Sequence, residues 1–146
     1  MKKKMLCLAV IVLVFSISCI VYFRPLSLSD AAENDNQINM VYSELGIKNG
    51  EAYIDSVDYQ DITPEQTNAI LSLLDTYPYR RTAGTLFSDG SISDLGNKIL
   101  SIYVYDDVSL INDIIVTSSG KIAIHEKVCH MKNAELFIEQ IIEILR

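Results

Sequence analysis

The sequence predicts an α+β fold: a two-layer sandwich in which a small, mostly antiparallel sheet carries two helices on one face, preceded by one N-terminal transmembrane helix. Three observations predict it. The N-terminus holds one apolar run, two later segments repeat apolar residues at helical spacing, and the other segments alternate apolar and polar residues between turn signals. The predicted parts are a membrane segment at residues 1–24, a polar acidic stalk at 25–39 and an extracytoplasmic domain at 40–146.

The apolar run is the first element. Met5–Phe23 contains 19 residues, of which only Ser16 and Ser18 are not apolar. A helix of about 20 apolar residues crosses the hydrocarbon core of a bilayer. The cluster Lys2–Lys4 precedes the run, so the positive-inside rule places the following domain outside the cytoplasm. The membrane is therefore a predicted partner through Met5–Phe23.

This pattern is consistent with three ways of processing the N-terminal segment. It is retained as a single-pass anchor, or it is a signal peptide cleaved near Ser29, because Ser27 and Ser29 are small residues at the positions that a signal peptidase reads. In the third alternative the chain is lipidated at Cys19, because Ser16–Cys19 resembles a bacterial lipoprotein box. All three place the domain on the extracytoplasmic side.

Charge and composition exclude several functional classes. Eight of the twelve basic residues and all nineteen acidic ones follow Arg24, so the part after the apolar run carries a net charge of -11. This charge repels nucleic acid and anionic polymers, and no nucleic-acid partner is predicted. The hydrophobic fraction of 49% is too high for a disordered chain. Three cysteines are too few for a disulfide scaffold.

The segments after the apolar run begin with loop and turn signals. Ser27–Asn39 is polar, acidic and without periodicity, which predicts a tether. Met40–Leu45 is interpreted as a helical turn that Gly46 closes. Asn49-Gly50 is a turn signal, and Ala52–Tyr59 is predicted to be a strand because its aromatic and β-branched residues alternate.

Two amphipathic helices are predicted. In the first, Thr63 is the N-cap, Pro64 holds the first helical position and Gln66 completes a capping box. Its apolar stripe consists of Ile70, Leu73, Leu74 and Tyr77. The second starts near Asn133 and has the stripe Ala134, Phe137, Ile138, Ile141, Ile142 and Leu145.

The segments between the helices predict the rest of the sheet. Tyr79–Phe87 is interpreted as extended, and Lys98–Tyr105 alternates strictly between apolar and polar residues. Ile114–Thr117 and Lys121–His125 flank Ser118–Gly120, which predicts a β-hairpin.

Several of these stretches together resemble a known group of domains. They are Val57 through Leu74, Arg80-Arg81-Thr82, Ile99–Tyr105, and Gly120–Ile124 leading into the last helix. The combination resembles the small extracytoplasmic domains that follow a lipoprotein signal or a single anchor in Gram-positive bacteria. That resemblance implies a cell-envelope location. The group has no agreed activity, so it implies no functional residue.

The densest candidate for chemistry is His125–His130. Imidazole and thiolate ligate zinc or copper, so His125, Cys129 and His130 form a candidate metal site. The alternative is a strand end in which Cys129 is a small buried apolar group. A small envelope hydrolase using one of these histidines is a further alternative, although the chain contains no G-x-S-x-G motif.

The tyrosines of one predicted strand form the candidate partner-binding surface. Tyr103 and Tyr105 lie on the side of Lys98–Tyr105 opposite its apolar residues, where aromatic rings suit contacts with a protein or a glycan. Cross-strand aromatic packing is the alternative. The sequence thus favours a membrane-tethered, non-enzymatic binding module of the cell envelope without a cofactor. A metal-handling protein is the alternative.

Overall fold

The computed structural model describes residues 2–32 and 36–146, apart from the side chains of residues 2–5 and 30. Within these ranges the chain is α+β, which confirms the predicted class. The helices are α1 (Lys2–Tyr22), α2 (Pro64–Thr76) and α3 (Ala134–Leu145). The strands are β1 (Pro25–Leu26), β2 (Gln37–Lys48), β3 (Glu51–Tyr59), β4 (Tyr79–Arg80), β5 (Lys98–Asp106), β6 (Ser109–Thr117), β7 (Lys121–Ile124) and β8 (Lys127–Met131).

All eight strands belong to one sheet in the order β1-β4-β8-β7-β6-β5-β2-β3, and every neighbouring pair is antiparallel. The prediction of a mostly antiparallel sheet is thereby confirmed. The two outermost strands differ greatly in length, since β1 has two residues and β3 has nine. One edge of the sheet is therefore short, and the other is long.

The N-terminal apolar run forms α1, a helix of 21 residues. The sequence predicts that this helix crosses a membrane. Among the residues that the structure describes, no helix combines the length and the hydropathy that a bilayer crossing requires. The prediction of a transmembrane helix is therefore not supported.

One hydrophobic core joins the sheet to α2 and α3. In β5 the alternate residues Leu100, Ile102 and Val104 are fully buried, while their neighbours along the strand are partly exposed. Both helices contribute to the same core, through Ile70 and Leu74 of α2 and through Phe137, Ile138 and Ile141 of α3. Because all these residues form one cluster, the two helices pack on the same face of the sheet.

Local signals fix α2 as the sequence predicts. The Thr63 hydroxyl accepts a hydrogen bond from the Gln66 amide at 3.3 Å, and the Gln66 side chain accepts one from the Thr63 amide at 3.0 Å. This is the predicted capping box. Gln66 Nε2 also donates to the Ile144 carbonyl at 2.9 Å, so the same residue ties the start of α2 to the end of α3.

The prediction of a helical turn at Met40–Leu45 is wrong, because this segment lies within β2. Ile38 and Met40 are buried at strand spacing, which outweighs the weak helical pattern. Asn49 and Gly50 both have positive φ, at 55° and 83°, and form the two-residue turn that joins β2 to β3. The extended interpretation of Tyr79–Phe87 holds only for Tyr79–Arg80, since Gly84–Phe87 is a 3-10 helix.

The segment predicted to be a tether packs against the domain. Pro25 and Leu26 pair with β4, and Leu28 is fully buried in the core. Ala31 and Ala32 are buried as well, while residues 33–35 of the predicted tether lie outside the described residues. The apolar residues of the predicted tether form a pattern that is too short for sequence periodicity to predict their burial. Cleavage after Ser29 would remove both β1 and Leu28 from the folded domain.

We expect Leu28→Ala to lower the free energy of unfolding by about 2–5 kcal/mol, because it empties a fully buried site. Chemical denaturation of the full chain measures this change. The matched control is Leu136→Ala on α3, where the side chain is 47% exposed and the expected loss is small. Equal losses in the two variants would contradict the placement of Leu28 in the core.

Candidate functional site

The side of the sheet that faces away from α2 and α3 is the main candidate surface. We call it the open face, and it is formed by Val41, Ser43, Leu45, Ile54, Ser56, Ser101, Tyr103 and Tyr105. Each of these residues alternates along its strand with residues of the opposite side. All of them are partly or well exposed, and Ile54 is 69% exposed. The open face therefore presents apolar and aromatic groups to solvent.

The structure places both predicted tyrosines on the open face. Tyr103 lies directly opposite Asn39 of β2 and Asp113 of β6. Tyr105 lies opposite Gln37 and Leu110, next to a register shift in the β5–β6 ladder. Tyr103 is thus flanked by an amide and a carboxylate, whereas Tyr105 is flanked by an amide and the apolar Leu110.

Asn39 gives this part of the open face an unusual polar feature. In the described part of the chain, its Oδ1 is the one buried side-chain polar atom that lacks a hydrogen-bond partner. An unsatisfied buried acceptor costs about 1–3 kcal/mol. Asn39 is the cross-strand neighbour of Tyr103, so this destabilising unsatisfied acceptor lies beside the candidate binding residues.

A loop at residues 81–97 lies against β8 and forms hydrogen bonds with it. Thr85 Oγ1 donates to the Val128 carbonyl at 2.6 Å, and the Val128 amide donates to Ser88 Oγ at 2.9 Å. At the other end of the loop, Ser119 Oγ donates to the Asp94 carbonyl at 2.7 Å. The side chains of Thr85 and Ser88 satisfy the backbone groups of Val128 in β8, which β4 does not reach, so this part of the strand is not available for pairing.

A shallow cleft of about 240 Å³ lies between this loop and the sheet. It is lined by Asp89 and Ser91 of the loop, by Asp113 of β6 and by His125 and Glu126. The Ser91 amide donates to Asp89 Oδ1 at 3.0 Å, and this bond lowers the pKa of the Asp89 carboxyl. The ring of His125 is held at the rim, with Nε2 at 2.9 Å from Asn112 Oδ1.

The three candidate metal ligands are not brought together. His125 lies in the turn between β7 and β8, while Cys129 and His130 are neighbours within β8. Successive side chains of a strand point to opposite faces, and accordingly Cys129 is buried whereas His130 is exposed. Among the residues that the structure describes, no three His, Cys, Asp or Glu side chains form a group that could hold a metal ion.

Cys129 lies on the core side of β8 and is 4% exposed. Burial raises the pKa of its thiol, and a hydrogen bond with the Thr85 side chain opposes this increase. A thiol whose pKa is raised contains little thiolate, the form that acts as nucleophile or metal ligand. Its environment is that of a small core residue.

The turn that carries His125 is strained. Ile124 pairs with Lys127, which leaves His125 and Glu126 as a two-residue loop with φ values of 50° and 58°. Loops of this type favour Asn-Gly, because a side chain in the left-handed region costs about 1–2 kcal/mol. The β2–β3 turn of the same sheet uses Asn49-Gly50, so the two turns differ in residue type but not in geometry.

Sequence reasoning predicted β3 as the strand Ala52–Tyr59 but missed β8, Asn39 and β2, the long strand that pairs with β3. The alternation of Val128, Cys129, His130 and Met131 was a usable strand signal, as was that of Ile38, Asn39 and Met40. Both were obscured by residues that stand out for other reasons, the histidines in one case and the adjoining acidic segment in the other.

Comparison with known proteins adds no relative: no protein-family model, no curated protein and no solved structure matches this chain. Its function must therefore be argued from the geometry of its own surfaces.

We expect Glu126→Gly to raise the free energy of unfolding by about 1 kcal/mol, because glycine adopts a positive φ without steric cost. Denaturation of the full chain measures the gain. The reciprocal control is Gly50→Glu, which should lower stability by a similar amount, because an added Cβ meets no atom within 4 Å and only the φ of 83° opposes it. No change in either variant would contradict the assigned turn.

We expect the Cys129 thiol to react about 100-fold more slowly in the native protein than in the unfolded chain at pH 8, because burial both shields it and raises its pKa. The Cys7→Ser/Cys19→Ser variant leaves this single thiol for measurement with a colorimetric disulfide reagent. The raised pKa of the thiol also makes the stability of the fold depend on pH. As pH rises, the unfolded thiol ionises first, so the fold loses stability above the ordinary pKa range of a thiol. Equal reaction rates would show that Cys129 is accessible.

Proposed function

We propose that this protein is a non-enzymatic binding module of the cell envelope that holds a protein or glycan partner on its open face. The observation that carries the proposal is that a sheet of eight strands is packed against helices on one side while Tyr103 and Tyr105 stay accessible on the other. Aromatic side chains on an uncovered surface supply contact area at low entropic cost.

The surroundings of the two tyrosines support this proposal. Asn39, whose Oδ1 is buried without a hydrogen-bond partner, lies opposite Tyr103 and adds a polar side chain to the proposed contact region. The net charge of -11 after Arg24 favours neutral or basic partners over anionic ones. Partners with sugar hydroxyl groups or uncharged peptide surfaces fit both features.

Attachment to the membrane through Met5–Phe23 is the second part of the proposal. Along α1 the apolar side chains lie in solvent; Leu6, Ile11, Phe15 and Ile20 are all more than 60% exposed. Exposed apolar surface of this extent is typical of a membrane or protein contact. We propose that this segment directs the domain to the extracytoplasmic side. Retention of the segment and lipidation at Cys19 both keep β1 and Leu28 in the folded domain.

Site-specific photocrosslinking in intact envelope tests the open face. With benzoylphenylalanine in place of Tyr103, we expect an adduct that excess unlabelled wild-type protein suppresses. The competing variant Tyr103→Ser/Tyr105→Ser should suppress it about tenfold less, since removal of a central aromatic contact costs about 1–2 kcal/mol or more.

The matched control places the same photoreactive residue at Leu136, which is exposed on α3 on the helix side of the sheet. Adducts of equal yield from both positions, or suppression by the double-serine variant as strong as that by wild type, would count against the open face. A thermal melt of the double-serine variant shows that the competitor is folded.

A further inference from the structure

The outer strand β3 is a free sheet edge. Among the described residues, β3 pairs with β2 and with no other strand. In a hairpin closed by a two-residue turn, the residues that flank the turn exchange both backbone hydrogen bonds, and pairs alternate from there. Glu51, Tyr53, Asp55 and Val57 therefore bond to β2, whereas Ala52, Ile54, Ser56 and Asp58 direct their N–H and C=O groups outward.

An independent hydrogen bond confirms which residues of β3 direct their backbone groups outward. Leu45 is the cross-strand partner of Ile54, and its amide donates to the Asn97 carbonyl at 2.8 Å, on the side away from β3. Leu45 and Ile54 therefore belong to a non-hydrogen-bonded pair. The outward groups of β3 offer four donors and four acceptors in a line.

The unpaired stretch of β8 and the free edge of β3 differ in how they are covered. The stretch of β8 that β4 leaves unpaired is covered by side chains of Thr85 and Ser88. In contrast, every residue of β3 except Tyr59 is exposed, including Tyr53, Ile54 and Val57 at 42%, 69% and 45%. Eight exposed residues, four of which direct their backbone groups outward, form a template for another strand.

The charges of β3 select the kind of strand that would pair. It carries Glu51, Asp55 and Asp58 but no basic residue. Lys48 lies opposite Glu51, whereas Asp55 lies opposite another carboxylate, Glu44. Like charges across a pair of strands are destabilising. A second copy of β3 would add more carboxylates, so a second copy is disfavoured and a cationic strand is favoured.

We propose that β3 binds an extended, basic segment of a partner protein as a ninth strand of the sheet. This rests on the proposed function, because it specifies how a protein partner would be held. On the face that carries Tyr53, Asp55 and Val57, the partner would place apolar residues opposite the tyrosine and the valine and a lysine or arginine opposite Asp55. On the other face, a second cation would lie opposite Asp58, and an apolar residue would lie opposite Ile54.

The location of β3 suits such a partner. The strand order puts β3 at the opposite end of the sheet from β1, which follows α1 directly. Seven strand spacings of about 4.8 Å separate the two edges, or about 34 Å. Along the sheet, the free edge is therefore seven strands away from the strand at which α1 joins the domain.

The probe is the blocked peptide KVTKVVTK, which places lysines opposite Asp58, Asp55 and Glu51 when it pairs antiparallel with β3. Binding is measured on the full chain in neutral detergent by amide hydrogen exchange. We expect the amides of Ala52, Ile54, Ser56 and Asp58 to exchange quickly in the free protein and about tenfold more slowly with the peptide bound.

Three controls separate strand addition from charge attraction. A peptide of equal charge with central proline and glycine, KVPKVGTK, should give no protection. Ser56→Pro removes one outward amide and should weaken binding about tenfold, since proline is tolerated on an edge strand. Its matched control, Ser56→Ala, loses the Ser43–Ser56 hydroxyl bond of 2.8 Å equally but keeps the amide, and should bind as wild type does.

Several outcomes would overturn the proposal. These are protection by the proline-containing peptide, unchanged affinity of Ser56→Pro when its melt shows a folded protein, and self-association that Ser56→Pro abolishes, which would make a second copy the occupant. The proposed function fails separately. If photocrosslinking at Tyr103 succeeds while the peptide does not bind, the open face stands and the edge does not.

Discussion

The structure is governed by a mismatch of width between its two layers, because two helices cannot cover eight strands. A sheet of eight strands is about 34 Å across, whereas two packed helices cover about 20 Å. Other segments of the chain cover part of the remaining apolar surface. Leu28 and Ala31 fill one uncovered part, and the loop around Thr85 covers the margin of β8. Among the residues that the structure describes, no such segment lies over β3, and this strand is exposed on both of its faces.

The same mismatch explains why the candidate functions lie where they do. Residues at the contact between the helices and the sheet stabilise the fold, as the full burial of Leu100 and Phe137 shows. Cys129 is on that side as well, which accounts for the raised pKa of its thiol and for its separation from His130. The surfaces available for recognition are the open face around Tyr103 and the edge of β3. The first offers aromatic side chains, and the second offers unpaired backbone groups.

Sequence reasoning succeeded where the determining interactions are local. The capping box of Thr63 and Gln66, the alternation of β5 and the apolar stripe of α3 are all contained within a dozen residues. It failed at Met40–Leu45, where a weak helical pattern was outweighed by pairing with β3 and β5 on either side. The grouping of His125, Cys129 and His130 looked like a ligand set for a related reason: proximity along a strand is not convergence, because alternate side chains diverge.

The sequence by itself determined the α+β class, the charge of the domain, the two amphipathic helices and the presence of Tyr103 and Tyr105 on the side of their strand away from its apolar residues. These properties follow from periodicity and composition, which need no knowledge of distant contacts. Only the tertiary structure decided the strand order, the burial of Leu28 and which edge stays unpaired. The physical reason is that backbone pairing between strands is formed by groups that every residue carries. Which strands lie side by side is therefore settled by the packing of the whole chain.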